Sequence, residues 1–211
     1  MRIRAQSAGR RRLRAALLPA CLLWAVGPAA AQGSREQWQQ PDRVMADLGL
    51  WAGQYVADVG CGKGYFTFRL ARAVGDSGKV FAVDVDAEAL EAVRLQAEAK
   101  AVAKVEIVQS EATDTRLESA SADAVFLCDV LHEVPAENRA PLVQDIVRVL
   151  KPGGFLFLLD YRQSHDVPFD PYEKLIPRED LVKLCEDAGL SLDAEFHYLR
   201  YQVFLRWRKP S

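Results

Sequence analysis

Four acids stand where short apolar runs stop, and that placement is the chemistry the sequence offers first. Asp58 lies inside Val56-Ala57-Asp58-Val59, just ahead of the alternating glycines Gly60, Gly62 and Gly64. Asp84 ends Val80-Phe81-Ala82-Val83, and Asp129 follows Ala124-Val125-Phe126-Leu127-Cys128, with His132 three residues on. Glu111 comes after the run 105–109. A β-branched run, a glycine turn and a return to helical spacing at Phe66, Leu70 and Val74 read as strand, tight turn and helix, a place where backbone can pass close to a ligand. An acid beside such a turn suits a cationic or amine-bearing ligand better than a pyrophosphate. A dinucleotide fingerprint needs a third glycine where Tyr65 stands, and no Gly-Lys-Ser/Thr is present for a phosphate-cradling loop.

The stretch 56–67 resembles the first motif of the class I S-adenosylmethionine-dependent methyltransferases. The resemblance implies a loop of Gly60, Cys61, Gly62 and Gly64 around the methionine part of the cofactor, with Asp58 approaching its amino group. It implies that Asp84, followed by Val85, holds the two ribose hydroxyls; charge-assisted bonds of that kind contribute roughly 1.5–3 kcal/mol each. Gln109-Ser110-Glu111-Ala112 resembles the family's third-strand motif, with Glu111 receiving the adenine amino group and the Ala112 amide meeting the ring. The stretch 124–134 resembles the fourth motif, which would bring Asp129, Leu131 and His132 beside the methyl group, and Leu150-Lys151-Pro152-Gly153-Gly154 resembles the segment before strand five. The nearest flavour is the ubiquinone/menaquinone-type branch, and the likeness covers about residues 38–160 well.

These matches imply S-adenosyl-L-methionine as cofactor and methyl transfer to a small-molecule acceptor. His132 is then a candidate general base with a titration range suited to neutral pH, or else a helix-start residue satisfying local backbone. Tyr65 or Phe66 could face a sulfonium, although helix packing is the plainer account of Phe66. Asp160, Tyr161, His165 and Tyr172 fall after strand five, where loops commonly shape substrate pockets. Trp38 either closes the cleft or anchors the lead-in helix. A nicotinamide-dependent oxidoreductase and a non-catalytic S-adenosylmethionine-binding module remain the alternatives.

The elements that must position these residues alternate. Helix is expected over 36–49, 65–74, 87–101 (capped by Asp86), 135–150 and 177–188. Strands are expected over 55–59, 80–84, 105–109, 124–128, 155–160, 191–198 and 201–208. This alternation argues for an α/β domain, a parallel sheet with helices on both faces, and counts seven strands; the resemblance implies a Rossmann-like, mostly parallel sheet with an antiparallel C-terminal hairpin strand, with which the count and the close final pair agree.

Residues 1–34 stand apart from that domain, which occupies 35–211. They carry six arginines and no acid, then the apolar run Ala15 to Val26 and an Ala29-x-Ala31 exit. That is the form of a signal peptide, so export, to a bacterial periplasm, is expected; a mitochondrial transit peptide is the alternative, and an uncleaved leader would give membrane association. Without the six leader arginines, 21 basic residues face 29 acidic ones, a balance of −8 that repels a phosphate backbone. Nucleic acid is therefore an unsuitable substrate. Cys61, Cys128 and Cys185 form no CxxC pair and have no histidines at metal spacing, so no metal is expected.

Overall fold

The computed structural model describes residues 35–102, 104–167 and 171–211, so the leader lies outside the described residues. Its strands are β1 (Tyr55–Val59), β2 (Lys79–Asp84), β3 (Val105–Gln109), β4 (Ala122–Cys128), β5 (Leu150–Tyr161), β6 (Ser191–Phe196) and β7 (Gln202–Arg208). They form one seven-stranded sheet in the order β3-β2-β1-β4-β5-β7-β6. β3 through β5 run parallel, while β7 is antiparallel to both β5 and β6. The chain winds outward from β1 to β3 and returns on the other side of β1 as β4. The strand direction of travel thus switches between β1 and β4, and in such sheets the crevice at the carboxyl ends opens there.

Successive strand residues face opposite layers. On β1, Val56 packs with helices α1 (Pro41–Leu48) and α2 (Thr67–Val74), whereas Ala57 and Val59 pack with α4 (Ala136–Val149) and α5 (Arg178–Asp187). Val44, Leu70 and Val74 fill the first layer and Leu142, Ile146, Leu181 and Trp207 the second, all less than 5% exposed. Each such aliphatic side chain contributes about 1.5–3 kcal/mol through burial. Helix α3 (Ala87–Ala99) packs over β2 and β3 with Leu90 and Val93 inward, and Asp86 caps it by accepting from the amides of Glu88 at 2.8 Å and Ala89 at 3.3 Å. Ala101, expected on the inner face, lies beyond the helix and is exposed.

Two local expectations are corrected, and the outer strand is identified. The lead-in helix is two pieces, 35–39 and α1, because Pro41 cannot continue a helix and forces the preceding Gln40 out of helical geometry, to φ 48°. Lys151 to Gly154 do not separate α4 from β5. Leu150 already pairs with Ala122, and β5 takes five positions to β4's two before Ala124 pairs with Phe155, so the Pro-Gly-Gly stretch is an irregularity inside the strand. Lys209 closes the end of α4 from the far terminus, its Nζ donating to the carbonyls of Val147 and Leu150, both at 2.6 Å. Finally, β6 and not β7 is the outer strand, and Arg206 of β7 is paired with Asp193 at 2.5 Å.

Candidate functional site

A cleft of about 920 Å³ opens at the β1/β4 switch, within the range of small-molecule sites. The glycine loop forms one wall. Gly60 and Cys61 donate their amides to the Val83 carbonyl at 2.8 and 3.1 Å, which ties the loop to β2. Gly60 has φ 72°, and a Cβ there would lie 2.4 Å from Val130 Cγ2, so no side chain fits. Gly62 lines the cleft at φ 51°, and a Cβ there would meet nothing within 4 Å: the empty side of the loop faces the space a ligand would fill.

Asp58 lies at the floor, 3% exposed, its Oδ2 accepting from Thr67 Oγ1 at 2.6 Å. Burial pushes its carboxyl up to about 7, against the pull of the Thr67 hydroxyl. Asp84 uses its two oxygens to accept from the amides of Gly62 at 2.7 Å and Asp86 at 2.9 Å. It therefore fixes the outer turn of the loop while each oxygen keeps a free lone pair for a hydroxyl.

The opposite wall comes from the end of β4. Asp129 has φ 59°, an uncommon left-handed geometry that turns its carboxylate toward the cleft. Gln202 of β7 donates to Oδ1 at 2.5 Å and Gln39 to Oδ2 at 3.1 Å, while an Arg35 nitrogen lies 3.6 Å from Oδ2. Burial first, and then the Asp160 carboxylate nearby, raise Asp129 to about 6. Two carboxylates thus face one cleft with protonation poised near neutrality, an arrangement that a bound cation would tip toward the charged form.

Beside them His132 is buried, its Nδ1 2.5 Å from Asp160 Oδ1. Asp160 also accepts from the amides of Tyr161 at 2.8 Å and His132 at 3.3 Å, so the carboxylate is held by its surroundings and itself orients the ring. With Nδ1 directed at Asp160, the nitrogen on the other side of the ring is Nε2, which has Glu133 Oε1 3.5 Å away. Trp38 and Tyr161 line this end, with ring centroids 6.1 Å apart and the Tyr161 ring 5.2 Å from that of His132.

Among the residues expected from the sequence, the cleft lining includes Asp58, Gly60, Cys61, Gly62, Gly64, Asp129 and His132. Asp84, Val85, Glu111 and Ala112 lie on the same carboxyl edge, one and two strands over, outside that lining. Val85 is 57% exposed, and Glu111 is exposed and ion-paired with Arg116. Leu131 is corrected in one respect: its side chain is fully buried in the core against α4, so only its backbone is near the site. Asp160 and Tyr161 are the last residues of β5 rather than loop residues, whereas His165 and Tyr172 stack on each other at 4.1 Å outside the lining. Tyr65 is met by protein cations, with the guanidiniums of Arg35 and Arg69 at 4.1 and 4.5 Å from its ring centre. Phe66 is buried edge-on to Phe126. Arg35, Gln39 and Gln202 were not anticipated. Only Arg35 and Gln39, four apart before a proline, left a trace in the sequence, as one helical face; nothing local marks Gln202.

Residues 56–154 match the family model described as methyltransferase domain. The chloroplastic 2-phytyl-1,4-beta-naphthoquinone methyltransferase of Arabidopsis thaliana is 34% identical over 158 residues, 74% of this chain and 59% of that protein. The demethylmenaquinone methyltransferase of Lactococcus lactis is 30% identical over 161 residues, 72% of this chain and 63% of its own length. The chain therefore spans about three fifths of these curated relatives. Among solved structures, a SAM dependent methyltransferase from Aquifex aeolicus superposes with a TM-score of 0.77 at 26% identity, covering 83% of this chain and 92% of that one.

Proposed function

We propose that this chain belongs to the class I S-adenosylmethionine-dependent methyltransferases and transfers a methyl group from S-adenosylmethionine to a small-molecule acceptor, a reading supported by the methyltransferase-domain match over residues 56–154. The observation that carries the reading is a pair of carboxylates, the buried Asp58 and the half-buried Asp129, on either side of an open glycine loop at the β1/β4 switch.

The cofactor supplies an already activated methyl group on a sulfonium. Asp58 and Asp129 offer the negative charge that suits its ammonium and sulfonium, the Gly60–Gly64 turn lets backbone approach it, and Asp84 has lone pairs for the ribose hydroxyls. What remains for the protein is to align the acceptor, exclude water and take a proton. His132, oriented by Asp160, is the residue for the last task at Nε2. Trp38 and Tyr161 give the acceptor end flat aromatic walls. Those walls, a base suited to a phenolic hydroxyl and the naphthoquinone chemistry named for the two relatives together favour a planar, hydroxylated aromatic acceptor of the quinol type.

Titration calorimetry with S-adenosylmethionine and with its demethylated product tests the reading. Saturable heat from both is expected; no heat from either overturns it. Export through residues 1–34, with membrane association if the leader is retained, is part of the same proposal. It is supported by the leader's arginines and apolar run, and the mature N-terminus found by mass spectrometry checks it. Among the described residues no helix is long and apolar enough to cross a membrane.

A further inference from the structure

We infer that Glu133 carries the proton away from His132, a role that rests on His132 acting as the base of the proposed methyl transfer. A base that gains a proton in each cycle must pass it on before the next. The His132 side chain is only 3% exposed, and the route through Nδ1 leads to Asp160, which is 1% exposed and buried deeper. The route through Nε2 leads outward. Glu133 Oε1 lies 3.5 Å from Nε2, and the Glu133 side chain is 54% exposed while still lining the cleft. A small side-chain adjustment would bring those two atoms into hydrogen-bond range, as happens when catalytic sites tighten around their ligands.

The carboxylate is also held in place from its other side. Lys174 Nζ donates to both of its oxygens, at 3.1 and 3.0 Å, from the short turn Tyr172–Lys174 in the β5–α5 connection. Gln163, donating to the Leu175 carbonyl at 3.0 Å, docks that connection on itself. Glu133 is fixed at its root by its own amide, which donates to the Val130 carbonyl at 3.0 Å. Asp160 at the end of β5 and His132 and Glu133 in the turn after β4 thus form one line from the interior to solvent, with Lys174 of the β5–α5 connection holding its outer end.

The step balances as follows. The acceptor X–H bond would break and X would bond the methyl carbon as that carbon's bond to the sulfonium sulfur breaks, its electron pair going to sulfur in the departing demethylated cofactor, while the proton goes to His132 Nε2. The imidazolium N–H then breaks as the proton bonds Glu133 Oε1, and the resulting carboxylic acid releases it to water. One proton leaves for each methyl transferred, and Glu133 and His132 end as they began.

The test reads the proton and not turnover. The full chain with S-adenosylmethionine bound, its three histidines nitrogen-labelled, is followed by NMR for exchange of the His132 ring proton with water. The exposed His165 and His197 serve as internal references. Glu133→Gln is expected to slow exchange at His132 at least ~10-fold, Glu133→Asp to recover part of the loss, and added imidazole buffer to speed the Gln variant selectively. An unchanged rate in Glu133→Gln overturns the inference. Absence of cofactor binding would instead overturn the methyl-transfer reading, and calorimetry reports that separately.

Discussion

The two walls of the cleft are built on different principles. The glycine-loop wall is local: Asp58, Gly60, Gly62 and Asp84 come from two adjacent strands and the turn between them, and Asp84 reaches only 22 positions back to the Gly62 amide. The wall around Asp129 and His132 is assembled from afar, with Gln39, Gln202 and Asp160 joined across 90, 73 and 28 positions. The first wall depends on backbone shape and the second on side chains arriving from separate elements. Substitutions in the first should therefore harm cofactor affinity, and substitutions of His132 and Asp160 in the second should harm the acceptor step, with Asp129 serving both.

The largest expected effect lies on the assembled wall. His132→Ala should lower methyl transfer by ~10²–10⁴ while leaving S-adenosylmethionine affinity within a few fold; a comparable loss of affinity would erase the distinction between the walls. Asp84→Ala should do the reverse, weakening cofactor binding by ~10-fold or more, equivalent to about 1.4 kcal/mol, because ribose contacts and the Gly62 tether go together. Calorimetry distinguishes these two outcomes.

A smaller effect should appear with pH. Asp58 at about 7 and Asp129 at about 6 are both raised above the ordinary 3.8, so the ligand-free fold binds more protons than the unfolded chain between pH 4 and pH 7. The contribution of these groups to stability is then present at low pH and lost as pH rises through that window. A cationic ligand lowers both values, so cofactor affinity should rise as pH passes through 6 to 7, with protons released. Titrations in buffers of different ionisation enthalpy would reveal that release. The last change expected is in the fold and not in ligand affinity. Gly60→Ala, strained at φ 72° and pressed on Val130, should cost on the order of 1–3 kcal/mol of stability, read as a lower midpoint in denaturant.

The same contrast explains what could be read from the sequence. The alternation of elements and the seven strands follow from periodicity and turn chemistry, which act within a few residues, whereas the antiparallel ending comes from the family resemblance. Asp58, the glycines and Asp84 were legible for that reason. Asp160 was visible as an acid after an apolar run, but its partnership with His132 depends on β4 and β5 lying side by side, with Cys128 opposite Leu159. Gln202 was silent because a glutamine at the start of a β-rich run carries no periodic signal; its meaning appears only when β7 inserts beside β5. The break at Gln40 was missed although Pro41 announced it, because apolar spacing alone continues across it.

Asp129 is gripped by an amide from each extremity of the described chain, Gln39 near one and Gln202 near the other. A nascent polypeptide still missing its last strand, or a molecule clipped by a protease before residue 40, would retain the glycine turn yet leave this carboxylate slack. The pose of this carboxylate thereby depends on two separate segments being docked together, the helical piece ahead of Pro41 and β7.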